Sequence, residues 1–222
     1  MNAPDIERRF PVLDIGPYTL QSGITLPRVE VAHAAFGTLN AQGDNALVIT
    51  HGYTSGPSTI AGRHVVAEGS WARMVGPGQV FDTHKYCVVC PNMLGSAFGS
   101  TGPRSIDPAT GKRYGPDFPA ISMRDIVGVQ KHFLDTLGVT RLAGVVGPSY
   151  GGWQALQWAL DYPDMVPAIG VICSGLKYPA NFSAAATRAG FAASPNWHGG
   201  WHYERGAMFD ELFAMRRKTL EN

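Results

Sequence analysis

Gly147, Ser149 and Gly151 form a Gly-x-Ser-x-Gly pattern within Gly144-Val-Val-Gly-Pro-Ser-Tyr-Gly-Gly-Trp-Gln-Ala-Leu156. A serine hydroxyl attacks an acyl carbon only when a base takes its proton and the resulting oxyanion is stabilised. A serine held on a sharp strand-to-helix turn, with glycines two before and two after it, suits that chemistry. The glycines let the backbone close and a substrate approach the hydroxyl. The chain has 27 glycines, so the bare pattern carries little weight by itself. Its context carries more. Strand-forming residues from Leu142 to Val146 precede it, and the helix-favouring run Trp153 to Leu160 follows, as a nucleophile elbow requires. The competing reading is a purely structural strand–helix turn.

In an elbow, one oxyanion donor is the backbone N–H after the serine, here that of Tyr150. The second comes from the loop after an earlier strand. Ala46-Leu-Val-Ile-Thr50 is a short apolar run suited to a strand buried on both faces, and it enters His51-Gly-Tyr-Thr-Ser-Gly56. The N–H of Tyr53 is the candidate. His51 precedes the serine, whereas in the order Ser…Asp/Glu…His the base follows it, so His51 reads as a ring that orders the loop.

The surrounding elements fit that placement. Tyr18 to Phe36 alternates loosely and reads as an antiparallel pair or meander. Lys85 to Cys90 is a further buried strand, followed by a Gly-, Pro- and Ser-rich loop extending to Phe118. Ser122 to Leu137 is helical by spacing (Ile126, Val129, Phe133, Leu137). Ser122 and Asp125 resemble an N-cap pair, and Gly138 is a C-terminal stop. Ala168 to Cys173 is another apolar strand. Strands alternating with helices imply an α/β chain with a mostly parallel sheet. From Ser174 the character changes, and Asn181–Ala193 and Glu204–Leu220 read as helices. The expected division is a core over residues 1–174 and the start of a helical cap over 175–222.

Composition excludes several classes. Hydrophobic content of 45%, charged content of 16% and a net charge of +1 describe an ordinary globular chain with no electrostatic call on nucleic acid or anionic membrane. Met1 to Phe10 has no apolar leader and no run approaches membrane-spanning length, so a soluble cytoplasmic protein is expected. Cys87, Cys90 and Cys173 make no disulfide framework. Cys87-Val-Val-Cys90 has redox or zinc spacing, but it lies in a strand run and has no second pair, so it reads as buried apolar cysteine, and no metal is expected. Arg216-Arg217-Lys218 reads as a solvated helix face rather than a phosphate site. Trp153, Trp158, Trp197 and Trp201 read as packing.

Four stretches resemble the homoserine O-acetyltransferase family: Asn92-Met-Leu-Gly-Ser-Ala-Phe-Gly-Ser-Thr-Gly-Pro103, Tyr114-Gly-Pro-Asp-Phe-Pro119, Val146-Gly-Pro-Ser-Tyr-Gly-Gly-Trp-Gln-Ala-Leu-Gln-Trp158 and Ser194-Pro-Asn-Trp-His-Gly-Gly200. The resemblance implies an α/β-hydrolase fold, Ser149 as nucleophile and acetyl-CoA as co-substrate with no bound cofactor. It also implies Arg188 as the partner of an amino-acid carboxylate, a role guanidinium suits. A homodimer formed through the cap is expected on the same ground. Two places depart from the family pattern: His51-Gly52-Tyr53-Thr54-Ser55-Gly56 stands where His-Ala-Leu-Thr-Gly is usual, and Tyr150 stands where Met is usual. His198 and His202 follow the serine, but they fall in a segment where the family does not keep its base. The triad acid and base are therefore expected beyond Asn222, with this chain the N-terminal part of a longer enzyme.

Three functions follow from these residues. One is transfer of an acetyl group from acetyl-CoA through acyl-Ser149 to the hydroxyl of homoserine or a similar small alcohol. The second is ester hydrolysis by the same serine, with water as acceptor. The third is a non-catalytic binding protein on the same scaffold.

Overall fold

Short β-branched runs carry the centre of the molecule. Val48, Ile49, Val88, Val89 and Val145 are all buried, as strands covered on both faces demand. A computed structural model of the chain describes residues 10–61, 70–177, 183–202, 205 and 208–220. Met1 to Arg9, Asn181 and Glu204 lie outside the described residues, as do the side chains of Arg216 and Lys218.

Among the described residues, six strands form one sheet: β1 (Val12–Asp14), β4 (Glu30–Phe36), β8 (Cys87–Pro91), β5 (Ala46–Ile49), β9 (Leu142–Pro148) and β10 (Ile169–Ile172), in that spatial order. β1 and β4 pair antiparallel, as do β4 and β8, while β8, β5, β9 and β10 run parallel. Two smaller ladders join β2 (Tyr18–Thr19) to β3 (Thr25–Leu26), and β6 (Val75–Gly76) to β7 (Phe81–Asp82). The meander expected over Tyr18 to Phe36 is therefore divided: its first half makes its own hairpin and only β4 enters the main sheet. β1 and the small β6–β7 ladder had no signal in the sequence. The helices are α1 (Ser58–Ala61), α2 (Met123–Thr136), α3 (Tyr150–Asp161), α4 (Ala184–Ala192) and α5 (Phe209–Leu220).

The α2 boundaries follow the expected chemistry. The Ser122 hydroxyl accepts the Asp125 N–H at 3.2 Å, and Asp125 Oδ2 accepts the Ser122 N–H at 2.7 Å, completing a capping box. Gly138, at φ +83°, ends the helix. Ile126, Val129 and Phe133 are buried. Cys90 belongs to an apolar cluster with Ala34, Ile49, Ile60, Phe81 and Val88, and burial pushes its thiol pKa up. β10 is an exception to the buried pattern. It pairs only with β9 among the described residues, which leaves Ile169, Val171 and Ile172 36–43% exposed.

The chain divides into two compact units, residues 1–102 with 119–176, and residues 103–118 with 177–222. The first holds the six-stranded sheet, α2 and α3. In the second, α4 starts at Ser183, whose hydroxyl accepts the Ala186 N–H at 3.2 Å. Gly115, at φ +52°, faces Trp201 so closely that an added Cβ would lie 2.6 Å from the indole. That contact ties the expected surface loop to the Trp/Gly-rich turn. Glu211 of α5 accepts hydrogen bonds from the Ser194 hydroxyl and, at 3.1 Å, from Asn196 Nδ2. These bonds hold the Glu211 carboxyl below its usual range.

Candidate active site

In the first unit the carboxyl ends of four parallel strands carry the chemistry-bearing residues. Thr50-His51 follow β5, Asn92-Met93 follow β8, Ser149 follows β9, and Ser174 lies two residues past the end of β10. Loops at this edge of an open α/β sheet are where such folds take ligands.

Ser149 has φ 53° and ψ −121° and caps α3, with no capping bond from its side chain. A non-glycine residue held there costs on the order of 1–3 kcal/mol, and it persists only where its surroundings over-determine it. They do so here. A Cβ on Gly147 would lie 2.1 Å from Thr50 Oγ1 and 2.5 Å from the Gly151 backbone; one on Gly151 would lie 2.7 Å from the Thr50 carbonyl. The same Thr50 hydroxyl donates to the Gly151 carbonyl at 2.8 Å. Both motif glycines are thus required by the end of β5, which packs into the turn.

The His51 loop is held from within. His51 is fully buried, and burial is the main reason its pKa falls from 6.5 to about 4. Neutral imidazole has one donor. Nδ1 stands 3.0 Å from the Gly52 carbonyl, so Nδ1–H donates there and Nε2 accepts the Met93 N–H at 3.4 Å. The Gly52 carbonyl also accepts the Ser55 N–H at 3.2 Å. A trans peptide points its C=O and N–H in opposite directions, so fixing the Gly52 carbonyl fixes the direction of the Tyr53 N–H. His51 orders the loop, the reading its position before the serine suggested.

A buried polar chain reaches the same loop. Trp158 Nε1–H donates to Gln130 Oε1 (2.9 Å), Gln130 Nε2 donates to Gln154 Oε1 (2.7 Å), and Gln154 Nε2 donates to the His51 carbonyl (2.9 Å). All three side chains are fully buried. Sequence reasoning took Trp158 as packing and passed over both glutamines. Their signal was a polar residue on the inward face of each of two adjacent helices.

The rings of Tyr53 and Tyr150 meet edge to face with centroids 5.8 Å apart, and Tyr150 meets Trp153 at 5.9 Å. Ser149, Tyr150 and Tyr53 are therefore brought together, and the two departures from the family pattern touch each other. Arg188 lies on α4 in the second unit, exposed. Among the described residues, no group of three or more His, Cys, Asp or Glu is placed to hold a metal ion. No helix among them is long and apolar enough to cross a membrane.

Residues 45–203 match the model of the alpha/beta hydrolase fold family. The chain belongs to that family. Within it, the chain is 46% identical over 189 residues to the homoserine O-acetyltransferase of Moorella thermoacetica, covering 83% of this chain and 50% of the relative. It is 46% identical over 193 residues to the homoserine O-succinyltransferase of Magnetococcus marinus, covering 84% and 48%. The expected resemblance to homoserine acyltransferases therefore holds over most of the chain, and the chain spans about half the length of these curated relatives. Among solved structures, esterase E22 superposes with a TM-score of 0.80 at 31% identity, over 92% of this chain and 58% of the esterase.

Proposed function

We propose that the protein is a serine-dependent O-acyltransferase. In this reading Ser149 Oγ attacks the thioester carbon of acetyl-CoA or a related acyl-CoA. Its proton passes to a general base. The tetrahedral oxyanion is held by the N–H groups of Tyr150 and Tyr53, and coenzyme A leaves as the thiol. The hydroxyl of homoserine or a similar small alcohol then attacks acyl-Ser149 and releases the enzyme. Arg188 is the proposed partner of the acceptor's carboxylate, and a homodimer the proposed assembly. The observation that carries the reading is the strained Ser149, on a turn that Thr50 braces through the Gly151 carbonyl, beside a loop whose Gly52–Tyr53 peptide is already oriented. The likeness to two homoserine acyltransferases supports the acceptor, and their different names leave the acyl group to be measured.

The test is to incubate the full-length protein with acetyl-CoA, with and without homoserine, and follow free thiol. Homoserine should accelerate release, and Ser149→Ala should abolish it. The likeness to esterase E22, together with the Tyr53–Tyr150 pair, favours hydrolysis as the second reading. Thiol release that homoserine leaves unchanged would select it. The third reading, binding without catalysis, predicts that a fluorophosphonate fails to label Ser149.

A further inference from the structure

The residues leaving β10 are laced to the elbow at three points. The Ile172 carbonyl accepts the Ser149 N–H at 2.8 Å. Ser174 Oγ lies 2.5 Å from the Ser149 carbonyl oxygen and 3.1 Å from that of Ile172. Trp153 Nε1–H donates to the Gly175 carbonyl at 2.6 Å. The Ser174 hydroxyl has one proton, and the shorter contact takes it, so Ser174 donates to Ser149. The Ser149 carbonyl also accepts the Gly152 N–H at 2.9 Å, which occupies its second lone pair.

The backbone of Ser149 is therefore gripped at both ends by one short segment of the neighbouring strand's exit. That grip accounts for two oddities. Cys173 adopts φ 51°, a left-handed turn that sends Ser174 back over the start of α3. Gly152 lies outside the Gly-x-Ser-x-Gly pattern, yet a Cβ there would sit 2.1 Å from Ser174 Oγ and 2.7 Å from Ser174 Cβ. A side chain at 152 would displace the hydroxyl from its acceptor.

We propose that Ser174 is a positioning residue of the acyl-transfer site: its hydroxyl holds the Ser149 carbonyl and thereby aims the Tyr150 N–H at the oxyanion. The Ser149 carbonyl and the Tyr150 N–H are opposite ends of one planar trans peptide, so restraining the oxygen restrains the direction of the N–H. His51 does the same for the Gly52–Tyr53 peptide. Both oxyanion donors are then oriented by a side chain bonded to the carbonyl behind them. The proposal rests on reading Ser149 as the nucleophile.

The experiment uses the full-length protein and three variants, Ser174→Ala, Ser174→Cys and Ser174→Thr, with Ser149→Ala as control. Kinetics are read with active sites titrated, alongside the rate of fluorophosphonate labelling. An oxyanion donor left without its restraint should lower kcat about 10- to 100-fold in Ser174→Ala, with KM within about twofold. The labelling rate should fall by a similar factor. Ser174→Cys, of like shape but a weaker donor, gives the same reading should the alanine variant fail to fold. Ser174→Thr, which keeps the hydroxyl, should return most of the rate. Alanine and cysteine variants that turn over and label at the wild-type rate per active site overturn the proposal. So does a loss of activity explained wholly by fewer folded sites. Failure of the reading beneath it looks different: wild-type protein stays unlabelled, or Ser149→Ala still labels, and both ideas fall together.

Discussion

Acidification should unlatch the His51 loop, and the cost can be worked from the ring's surroundings. The folded state holds His51 neutral, with burial lowering its pKa from 6.5 to about 4; contacts with Gly52 and Asn92 oppose that shift without reversing it. The Asn92 side chain lies beside the ring but makes no hydrogen bond of ordinary geometry. Protonation would place a second hydrogen on Nε2, where it would face the Met93 N–H that Nε2 now accepts. In the unfolded chain the ring titrates near 6.5, so between pH 6.5 and about 4 the unfolded state binds more protons. Stability must then fall as pH falls through that window, by about 3 kcal/mol over the whole of it. About 2 kcal/mol of this should be gone by pH 5, roughly 6 °C of melting temperature for a chain of this size. His33, half-buried with a lowered pKa, adds a slope of the same sign. Carboxylates such as Asp82 and Glu211, whose pKa values are lowered, enter only toward the acid end. The assay is a series of thermal and urea melts from pH 7.5 to 5 on the protein and on His51→Gln, which cannot charge. The wild type should lose about 2 kcal/mol more than the variant over that span. Parallel curves for the two proteins would refute the assignment of a neutral, loop-ordering ring.

Two further predictions concern the same unit. Gln154→Leu leaves the His51 carbonyl and a Gln130 amide proton buried without partners, so it should destabilise the fold by about 4 kcal/mol and lower the melting temperature by roughly 10 °C. Calorimetry checks this, and a shift under 2 °C would mean the buried chain adds little. A thiol reagent should modify exposed Cys173 first and half-buried Cys87 slowly. Cys90, fully buried with its thiol pKa raised, should react only on unfolding, as mass mapping of the three sites would show.

What was legible in the sequence was whatever local pattern controls. The apolar runs of β5, β8 and β9 announce buried strands. The Ser122–Asp125 pair and Gly138 announce the ends of α2, and the glycine spacing around Ser149 announces the turn. β1 was missed because a three-residue edge strand has no periodicity to read. The starts of α4 and α5 were set too early, because apolar spacing alone does not mark where a helix begins. The supports of the site were illegible for a different reason. Gln154 meets His51 across 103 positions, and Ser174 meets Ser149 across 25. No short-range rule joins such pairs.

Topology does join them, which gives a rule that sequence reading can use. In a parallel sheet the residues just past adjacent strands are neighbours. The run after β9 therefore predicts that the run after β10 lies against it, once the strand order is known. Ser174 stands at that position, and Gly152 marks it from the other side: a second glycine directly after the motif has no role in the turn itself. A glycine beyond what an elbow needs is a sign that another strand's exit crosses there. On this argument Gly152→Ala and Ser174→Ala should damage the same step by the same route. The double variant should then lose little more kcat than the worse single one, since the hydroxyl can be displaced only once. Losses that multiply would separate the two residues and remove Gly152 from the account of how Ser149 is held.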